Sequence, residues 1–556
     1  MTAAVDLIIV NGRVATMDDD NPRAQAVAVT GNTIRHVGTN AEVRSYKTSS
    51  TRIIDAGGGS VLPGFIEAHM HLFSGAAELD TLDLYEVRGR ESLIRALEGH
   101  AAKRPAAGLL IATQANYSIV SNSERLDRHL LDQAVPDRAL ICVAPDHHTA
   151  WANTAALRAA GILEGRQLPI GNEIVMDEQG CATGELREGE AIKIVYKLKD
   201  GGNRERLGLE TGGEPDPRPS REERAYDRKV LKRGLDYAAS FGITSIQNMD
   251  GNFYTCELLD EIDQEGQFTA RVEVPYHFKN FMPLANLEKA SELGRRYASD
   301  RLHSGRVKIF IDGVLDSWTA VMVEPYADKP GHVGELLFSP EFFAEVATEC
   351  DRRRLQISVH AIGDGAVRTV LDGYEAARKA NGRRDSRHRI EHIEVIHPDD
   401  IKRFGQLDVI ASMQPLHPPG QMGLPLEPTI SRIGESRWPY SYAWRTLKDA
   451  GARLVLASDW PVSALNPLIS IQSAVTRGVW KRGLPNQKLT LNEALSGYTR
   501  DGAFAEFREY SKGMLKRGML ADVVVLGADI ETHDPEKIRE IPVRATICDG
   551  RITHGV

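Results

Sequence analysis

Residues 60–72, SVLPGFIEAHMHL, decide the fold of this chain. A short apolar run is interrupted by a Pro-Gly pair and ends in His69-Met70-His71. If the run is a β-strand, alternate side chains point to the same face, so His69 and His71 project together. Neutral imidazole nitrogens are good ligands for zinc and similar divalent ions, and the pair therefore forms half of a metal site. Alternatively, two histidines stand near a turn by chance, and only the rest of the chain can decide between this interpretation and a metal site.

Length and composition limit the class of protein. A chain of 556 residues is too long for one compact core, and at least two domains are expected. The net charge of −9 argues against nucleic acids or anionic membranes as partners, because such binders need a basic face. The first residues, MTAAVDLIIVNG, lack the basic region of a signal peptide and are expected to form a strand. Five cysteines without a CxxC pair predict reduced thiols in a cytoplasmic protein.

Both ends of the chain carry short β-branched runs separated by turn signals, which is typical of hairpins. We predict that residues 1–58 and 512–556 together form one small β-sandwich domain. The predicted hairpin turns are Asn11-Gly12, Gly31-Asn32 and Asp549-Gly550.

Between the two ends, eight apolar runs recur and are mostly followed by helical patterns. This alternation predicts an α/β fold with a (β/α)8 TIM-like barrel in residues 59–511, and a doubly wound open sheet is the alternative. Residues 73–240 form a large insertion after the first run, and 200–224 within it is expected to be an exposed loop or lid. The later runs lie at 243–249, 271–278, 306–312, 355–364, 388–395, 408–415 and 453–461.

Polar residues stand inside or at the end of four of these runs. Lys308 interrupts an apolar run, while His360, His392 and Asp459 lie near the ends of theirs. Active sites of such barrels lie at the C-terminal ends of the strands, so these groups are expected to meet the first histidine pair. Four histidines and an aspartate suit one or two divalent ions. Taken singly, each group has another explanation. His360 or His392 could be a hydrogen-bonded core histidine, Asp459 could cap a helix, and Lys308 could pair with a carboxylate outside the barrel.

Several segments resemble one known family. The chain is similar to the amidohydrolase superfamily, and specifically to its YtcJ-like branch, which includes N-substituted formamide deformylases. The resemblance covers nearly the whole chain. It departs from the family pattern at Asp316 and Trp318, where small or basic residues are expected. The matching segments are PGFIEAHMH, VKIFIDGVLDSWTA (307–320), SVHAIGDGAV (358–367), RIEHIEV (389–395), SMQPLHP (412–418) and ASDWPV (457–462).

The resemblance implies roles for the polar residues. Asp459 is a general base or a ligand, and Lys308 is a carbamylated lysine that bridges two metal ions. The expected cofactor is a divalent metal, with zinc as the expected ion. The remaining ligands on the family pattern are His69, His71, His360 and His392.

The expected activity is hydrolysis of the C–N bond of a small N-substituted amide by a metal-activated hydroxide. Alternatives are the same scaffold acting on a cyclic amide, an amine or an ester, and a regulatory relative without catalysis. Ser/His/Asp chemistry is disfavoured because no GxSxG elbow occurs. A homodimer that binds only a small-molecule substrate is expected. Candidate pocket residues, for which plain packing is the alternative, are His148, Trp151, Gln414 and Trp460.

Overall fold

The structure is a computed structural model that describes residues 5–84, 86–105, 108–121, 124–144, 149–168, 172–187, 189–200, 202–421 and 426–556. The chain divides into two compact units. The first unit comprises the residues up to Gly75, Leu207–Arg218 and Arg228–Val556. The second unit comprises Ala76–Arg206 and Pro219–Asp227.

The first unit contains a series of parallel strands, and each of the eight predicted runs contributes to it. An isolated parallel bridge joins Met70, at the end of the first strand, to Trp460, which follows the last one. The α/β class is therefore confirmed. In order of pairing, the strands are Phe65–Met70, Ile243–Asn248, Arg271–Glu273 continued by Tyr276–His277, Leu302–His303 continued by Arg306–Phe310, Gln356–Ala361, Arg389–His392, Ile410–Met413 and Arg453–Leu456.

The helical patterns expected between the later strands are present as Pro340–Arg352, Asp364–Asn381 and Trp444–Asp449. Pro340–Arg352 shows the local cause: Ser339 caps it by accepting the N–H of Phe342, and Pro340 occupies the first turn. None of the helices in the described ranges is long and apolar enough to cross a membrane. The α-helices are Asn40–Arg44, Leu72–Glu78, Arg90–Lys103, Arg128–Ala134, Thr154–Ala159, Gly189–Tyr196, Leu207–Glu210, Arg221–Ser240, Phe253–Gln264, Leu287–Arg296, Pro340–Arg352, Asp364–Asn381, Ile401–Leu407, Thr429–Ile433, Trp444–Asp449, Pro467–Thr476, Leu491–Gly497 and Arg500–Ala505.

Both ends of the chain supply strands to one pair of sheets with a shared core. Ile9 and Val27 of the smaller sheet pack in the same buried cluster as Val523 and Ile547 of the larger one. The domain boundaries at 58 and 512 stay a prediction. The smaller sheet has the order Thr33–Gly38, Ala26–Thr30, Leu7–Val10, Arg52–Asp55. The larger sheet has the order Arg551–Gly555, Val543–Cys548, Val523–Leu526, Ser60–Pro63, Arg13–Ala15, Arg23–Ala24.

Two of the three predicted hairpin turns are confirmed. The strands around Gly31-Asn32 pair antiparallel, as do those around Asp549-Gly550. The prediction at Asn11-Gly12 is wrong, because the strands on either side of this pair lie in different sheets. Gly12 is needed there for close packing, since a Cβ would lie 2.6 Å from a methyl of Val61.

Residues 60–70 form two strands. Ser60–Pro63 belongs to the larger terminal sheet, and Phe65–Met70 belongs to the parallel series. Gly64 lies between them, where a Cβ would stand 2.2 Å from Oγ1 of Thr244. The Pro-Gly pair therefore takes the chain from one sheet to the other.

The second unit has its own mixed sheet and its own core. Leu97, Leu110, Leu131 and Trp151 pack in one buried cluster. Glu173–Met176 and Ala182–Arg187 form an antiparallel hairpin. The sheet has the order Glu173–Met176, Ala182–Arg187, Thr149–Ala152, Ala139–Val143, Leu109–Thr113, Leu82–Asp83.

The prediction of an exposed loop at 200–224 is wrong for much of that segment. It contains two helical turns, Arg204–Arg206 and Leu207–Glu210, and the start of a long helix at Arg221. The side chains of Arg204 and Glu205 are buried, and Arg204 pairs with Asp227 at 2.7 Å. The glycine-rich, charged composition of residues 200–224 predicted a solvent-exposed loop. Instead, buried ion pairs such as that of Arg204 with Asp227 order part of this segment.

Candidate metal centre

The two histidines of the first strand face a common acidic group. His69 lies in the strand Phe65–Met70 and His71 follows it directly. Their Nε2 atoms lie 3.3 and 3.4 Å from Oδ1 of Asp459. Met70, between them, is fully buried. The alternation expected of a strand thus places both imidazoles on one side.

Backbone contacts hold Asp459 opposite the histidine pair. Its N–H donates to the carbonyl of His69 at 2.8 Å, and its φ is 60°. His392 also has a positive φ, of 75°. Left-handed backbone is uncommon for such residues and clusters at functional sites, where surrounding contacts maintain it.

His392 completes a compact group of three candidate ligands. His69, His392 and Asp459 offer atoms that all lie within 4.8 Å of one another. The ring centroids of His69 and His392 are 4.9 Å apart. The structure therefore brings together residues from three separate strand ends.

His360 lies beside this group with a different hydrogen bond. Its ring centroid is 4.6 Å from that of His392. Its Nε2 donates to the carbonyl of Gly313 at 3.0 Å, which leaves Nδ1 as the lone-pair nitrogen. His360 adjoins the group, and its Nε2 also lies 3.7 Å from Oδ1 of Asp312.

Lys308 is buried in the strand Arg306–Phe310. Its side chain is fully buried, and Nζ has no hydrogen-bond partner among the described residues. Its Nζ lies 4.7 Å from the ring centroid of Phe310. Burial lowers the pKa of Lys308 to about 8, against the opposing effect of the Glu391 and Asp459 carboxylates. The alternative was a lysine paired with a carboxylate outside the barrel. It does not agree with a buried Nζ that has no hydrogen-bond partner among the described residues.

Three of the histidines donate from Nδ1 to a fixed oxygen, which determines where the ring proton lies. A carboxylate or amide oxygen can only accept, so Nδ1 carries a hydrogen, and in the neutral ring Nε2 keeps its lone pair. Such partners orient metal ligands in many metalloproteins. The pairs are His69 with Glu391 at 2.7 Å, His71 with Asp250 at 2.8 Å and His392 with Gln414 at 2.9 Å.

The donor set fits a divalent metal ion. Nε2 of His69 and Oδ1 of Asp459 are buried, 3.3 Å apart and, among the residues that the structure describes, without a hydrogen-bond partner. Burial lowers the pKa of His69, which favours the neutral, ligating form. Facing lone pairs need a cation between them, and imidazole nitrogen with carboxylate oxygen is a donor set typical of zinc.

Sequence reasoning missed the acidic partners of the site. Glu391 accepts from His69 and is fully buried; burial opposes its ionisation, but Arg389 and His69 hold its pKa well below the usual range. Glu67, also fully buried, accepts the N–H groups of Ser458 and His69, and burial raises its pKa to about 8. Acidic residues inside apolar strands are rarely buried without a partner, and this was the available signal.

Two further histidines near the site were not predicted. His277 donates from Nδ1 to the carbonyl of Gly208 at 2.9 Å and stacks on Phe310, which stacks in turn on His360. His417 lies parallel to His392, with Nε2 3.9 Å from Oδ2 of Asp459. His277 ends a strand of the parallel series and His417 follows one, and sequence could have flagged both positions.

The predicted pocket residues have separate surroundings. His148 lies outside the described residues. Trp151 is buried in the core of the second unit, with its ring against that of Tyr117. Gln414 binds His392, whereas Trp460 packs on Gly75 and Tyr237. A role of these four residues in substrate binding stays a prediction.

Trp318 and Asp316, which depart from the family pattern, contact side chains from other segments of the chain. Trp318 lies between the guanidinium of Arg432, 3.9 Å from its ring centroid, and the ammonium of Lys329, 5.0 Å away. Asp316 accepts from the hydroxyl of Thr429 at 3.1 Å. These contacts give both residues a packing role.

A second buried cluster with metal-ligand chemistry is already neutralised. Glu273, His303 and Glu506 offer atoms within 4.8 Å of one another. Arg306 pairs with Glu273 at 2.5 Å and Lys512 with Glu506 at 2.8 Å. Each carboxylate thus has a cation beside it, and the cluster is an ion-pair network.

Comparison with known proteins points to one family. The profile described as "Amidohydrolase family" matches residues 52–554. Protein LONG AFTER FAR-RED 3 of Arabidopsis thaliana is 29% identical over 94% of this chain and 87% of its own length. The putative amidohydrolase YtcJ of Bacillus subtilis is 27% identical over 98% of each chain. The N-substituted formamide deformylase of Arthrobacter pascens is 27% identical over 99% of this chain and 98% of its own. These matches confirm the resemblance to the YtcJ-like branch.

A solved structure supports the fold. The crystal structure of an uncharacterized metal-dependent hydrolase from Pyrococcus furiosus has a TM-score of 0.73 and 24% identity. The match covers 96% of this chain and 100% of that one. At this identity the likeness concerns the fold alone.

Proposed function

The chain belongs to the amidohydrolase family, and we propose that it is a metal-dependent hydrolase of the C–N bond in small N-substituted amides. The observation that carries this proposal is the group formed by His69, His392 and Asp459, with its unpartnered, buried Nε2 and Oδ1 atoms. The full-length similarity to an N-substituted formamide deformylase supports the choice of bond.

The proposed ligands come from separate strands of the first unit. A bound zinc ion would act as a Lewis acid and lower the pKa of a coordinated water. Glu391 and Asp250 keep the two histidines of the first strand in the tautomer whose Nε2 is free to coordinate. The full proposed ligand set is His69, His71, Lys308, His360, His392 and Asp459.

Asp459 is the proposed general base and acid. Its Oδ1 lies within 3.4 Å of two imidazoles, and its Oδ2 faces His392 and His417 at 4.0 and 3.9 Å. Burial opposes ionisation, but His69, His71 and His392, when protonated in the metal-free site, hold the pKa of Asp459 well below its usual value. The group is therefore an anion that can accept a proton from the nucleophile and return it to the leaving amine.

Lys308 is the proposed site of carbamylation. A buried lysine with a pKa near 8 is partly neutral at neutral pH, and a neutral amine can add CO2. The carbamate would exchange a positive charge for a negative one with two oxygens, which suits a position beside candidate metal ligands. The absence of a hydrogen-bond partner for Nζ in the described residues supports this assignment.

The parallel strands are proposed to close as a (β/α)8 barrel with an insertion after the first strand. The strands pair as a four-stranded and a six-stranded parallel sheet, and the bridge between Met70 and Trp460 joins the first strand to the residues after the last; both support closure. A cytoplasmic location and a homodimer are further proposals, which fractionation and light scattering would test.

Turnover of defined substrates tests the proposed activity. The zinc-loaded chain would be assayed on N-substituted formamides and acetamides, with matched lactams, esters and arylamines of equal size. Preferential release of amine from the linear amides is the expected result. Turnover of only the lactam, the ester or the arylamine would reassign the substrate class, and no turnover with bound metal would favour a regulatory relative.

A further inference from the structure

We infer that Arg389 is a positioning residue for the metal centre, which acts through Glu391 on His69. Its guanidinium donates to both carboxylate oxygens of Glu391, at 2.5 and 3.0 Å. The same group donates at 2.8 Å to the carbonyl of Ala68, the residue before His69. Arg389 therefore holds the backbone of the histidine and the carboxylate that its ring binds.

The guanidinium of Arg389 is held in one orientation by burial and by its hydrogen bonds. Its side chain is fully buried, and it also donates to Oε1 of Gln247 at 2.5 Å and to Oγ of Ser412 at 2.6 Å. Five hydrogen bonds in a rigid fork require the planar guanidinium, which lysine cannot reproduce with one point charge. The contacts join Arg389 to the strands Phe65–Met70, Ile243–Asn248 and Ile410–Met413.

The consequence for His69 follows from the direction of its hydrogen bonds. Glu391 accepts from Nδ1 at 2.7 Å, and this places the lone pair on Nε2, toward Asp459. If the carboxylate rotated, the ring could turn or take the other tautomer. Groups that orient a ligating histidine in this way typically change metal affinity by about 10- to 100-fold when removed.

Arg306 offers a matched control. It is equally buried, also donates to Gln247, at 3.4 Å, and forks onto Gln356 and Glu273. Among the described residues, no hydrogen bond joins Arg306 to Glu391 or His69. Replacing either arginine by lysine therefore disturbs the same polar layer, but only Arg389 is hydrogen-bonded to the carboxylate that binds His69.

The inference rests on the proposed metal site, and the test reads that site without relying on turnover. Zinc affinity would be measured by chelator competition for the wild type, Arg389→Lys, Glu391→Gln, the double variant and Arg306→Lys. The absorption spectrum of the cobalt-loaded proteins would report ligand geometry. Nitrogen-15 spectra of histidine-labelled, metal-free protein would report the tautomer of His69.

Arg389→Lys is expected to lower zinc affinity about 10- to 100-fold, change the cobalt spectrum and broaden or shift the Nδ1–H signal of His69. Glu391→Gln should have a similar effect, and the double variant should lose little more, because both act on one ring. Arg306→Lys should leave affinity and spectra unchanged.

Wild-type affinity and spectra in folded Arg389→Lys would overturn the inference, as would equal losses in Arg306→Lys. If Arg389→Lys fails to fold, Glu391→Gln still decides, because unchanged affinity there removes the link between Arg389 and His69. Failure of the proposed function would appear separately, as tight, correctly tuned zinc binding without hydrolysis of any amide.

Discussion

Asp459 has a buried oxygen without a hydrogen-bond partner, between the Nε2 atoms of His69 and His71. Asp459→Asn keeps the size of this side chain but removes the charge that accepts a proton. We expect kcat to fall about 10²- to 10⁴-fold while metal stays bound to the histidines. Steady-state kinetics with metal analysis of the same sample would check this. An unchanged kcat would move the general base elsewhere, with His417 next to be examined.

Lys308 allows a second test at the scale of one side chain. Lys308→Ala should lose metal and activity together, with partial recovery on addition of short carboxylic acids or bicarbonate. The reason is that the proposed carbamate supplies two metal-binding oxygens that alanine lacks. Native mass spectrometry of the wild type should find the added mass of one CO2. An unmodified lysine in a fully active, metal-loaded enzyme would contradict the assignment.

At this scale, the sequence predicts the groups that carry the chemistry better than those that orient them. The pair His69-Met70-His71 has a spacing that a strand converts directly into a shared face. Asp250 and Glu391 have no such spacing, because their contacts with the two histidines join residues 179 and 322 positions apart. Only the three-dimensional pairing of strands brings them together.

Gly64 controls the passage of the chain between two sheets. A Cβ at this position would lie 2.2 Å from Oγ1 of Thr244, a buried residue on a neighbouring strand. Gly64→Ala should therefore lower the free energy of unfolding by about 1–3 kcal/mol, the usual cost of overpacking. Chemical denaturation would measure the change.

A second substitution separates the steric cause from backbone effects. In a Thr244→Ala background the clash is relieved, so Gly64→Ala should cost much less there than in the wild type. Equal costs in both backgrounds would show that packing against Thr244 is not the reason for glycine.

The elements were predicted where periodicity alone decides them and missed where packing decides. The eight parallel strands have apolar runs of adequate length, and each run contains one. The Asn11-Gly12 turn has the residues of a hairpin but lies between sheets, a difference that local sequence does not encode. The segment 200–224 has the composition of a loop, yet buried partners such as Asp227 order part of it.

At the scale of the whole molecule, a buried ion pair near the C-terminal end contributes to the pH dependence of stability. Glu506 is buried beside Lys512 at 2.8 Å; burial opposes ionisation, but Lys512 and His303 lower the pKa of Glu506 from 4.5 to about 2. A carboxyl group with a lowered pKa in the folded state stabilises the fold fully above pH 4.5. This contribution is lost as the pH falls from 4.5 toward 2.

Glu506→Gln should accordingly lower the Tm at neutral pH, because Lys512 loses its charged partner. It should also flatten the decline of Tm below about pH 4.5, where the wild type loses this carboxylate. Glu540→Gln, at an exposed position, serves as the control and should follow the wild-type profile. Parallel Tm curves for wild type and Glu506→Gln below that pH would contradict the assignment.

The metal content of the purified protein tests the central claim most directly. Elemental analysis by mass spectrometry would be performed on the wild type and on a His69→Asn, His71→Asn double variant whose fold is checked by circular dichroism. We expect one or two equivalents of a divalent transition metal per wild-type chain, lost in the variant, with chelation abolishing activity and zinc restoring it. Full turnover by protein with no detectable metal, or equal metal content in the variant, would contradict this account.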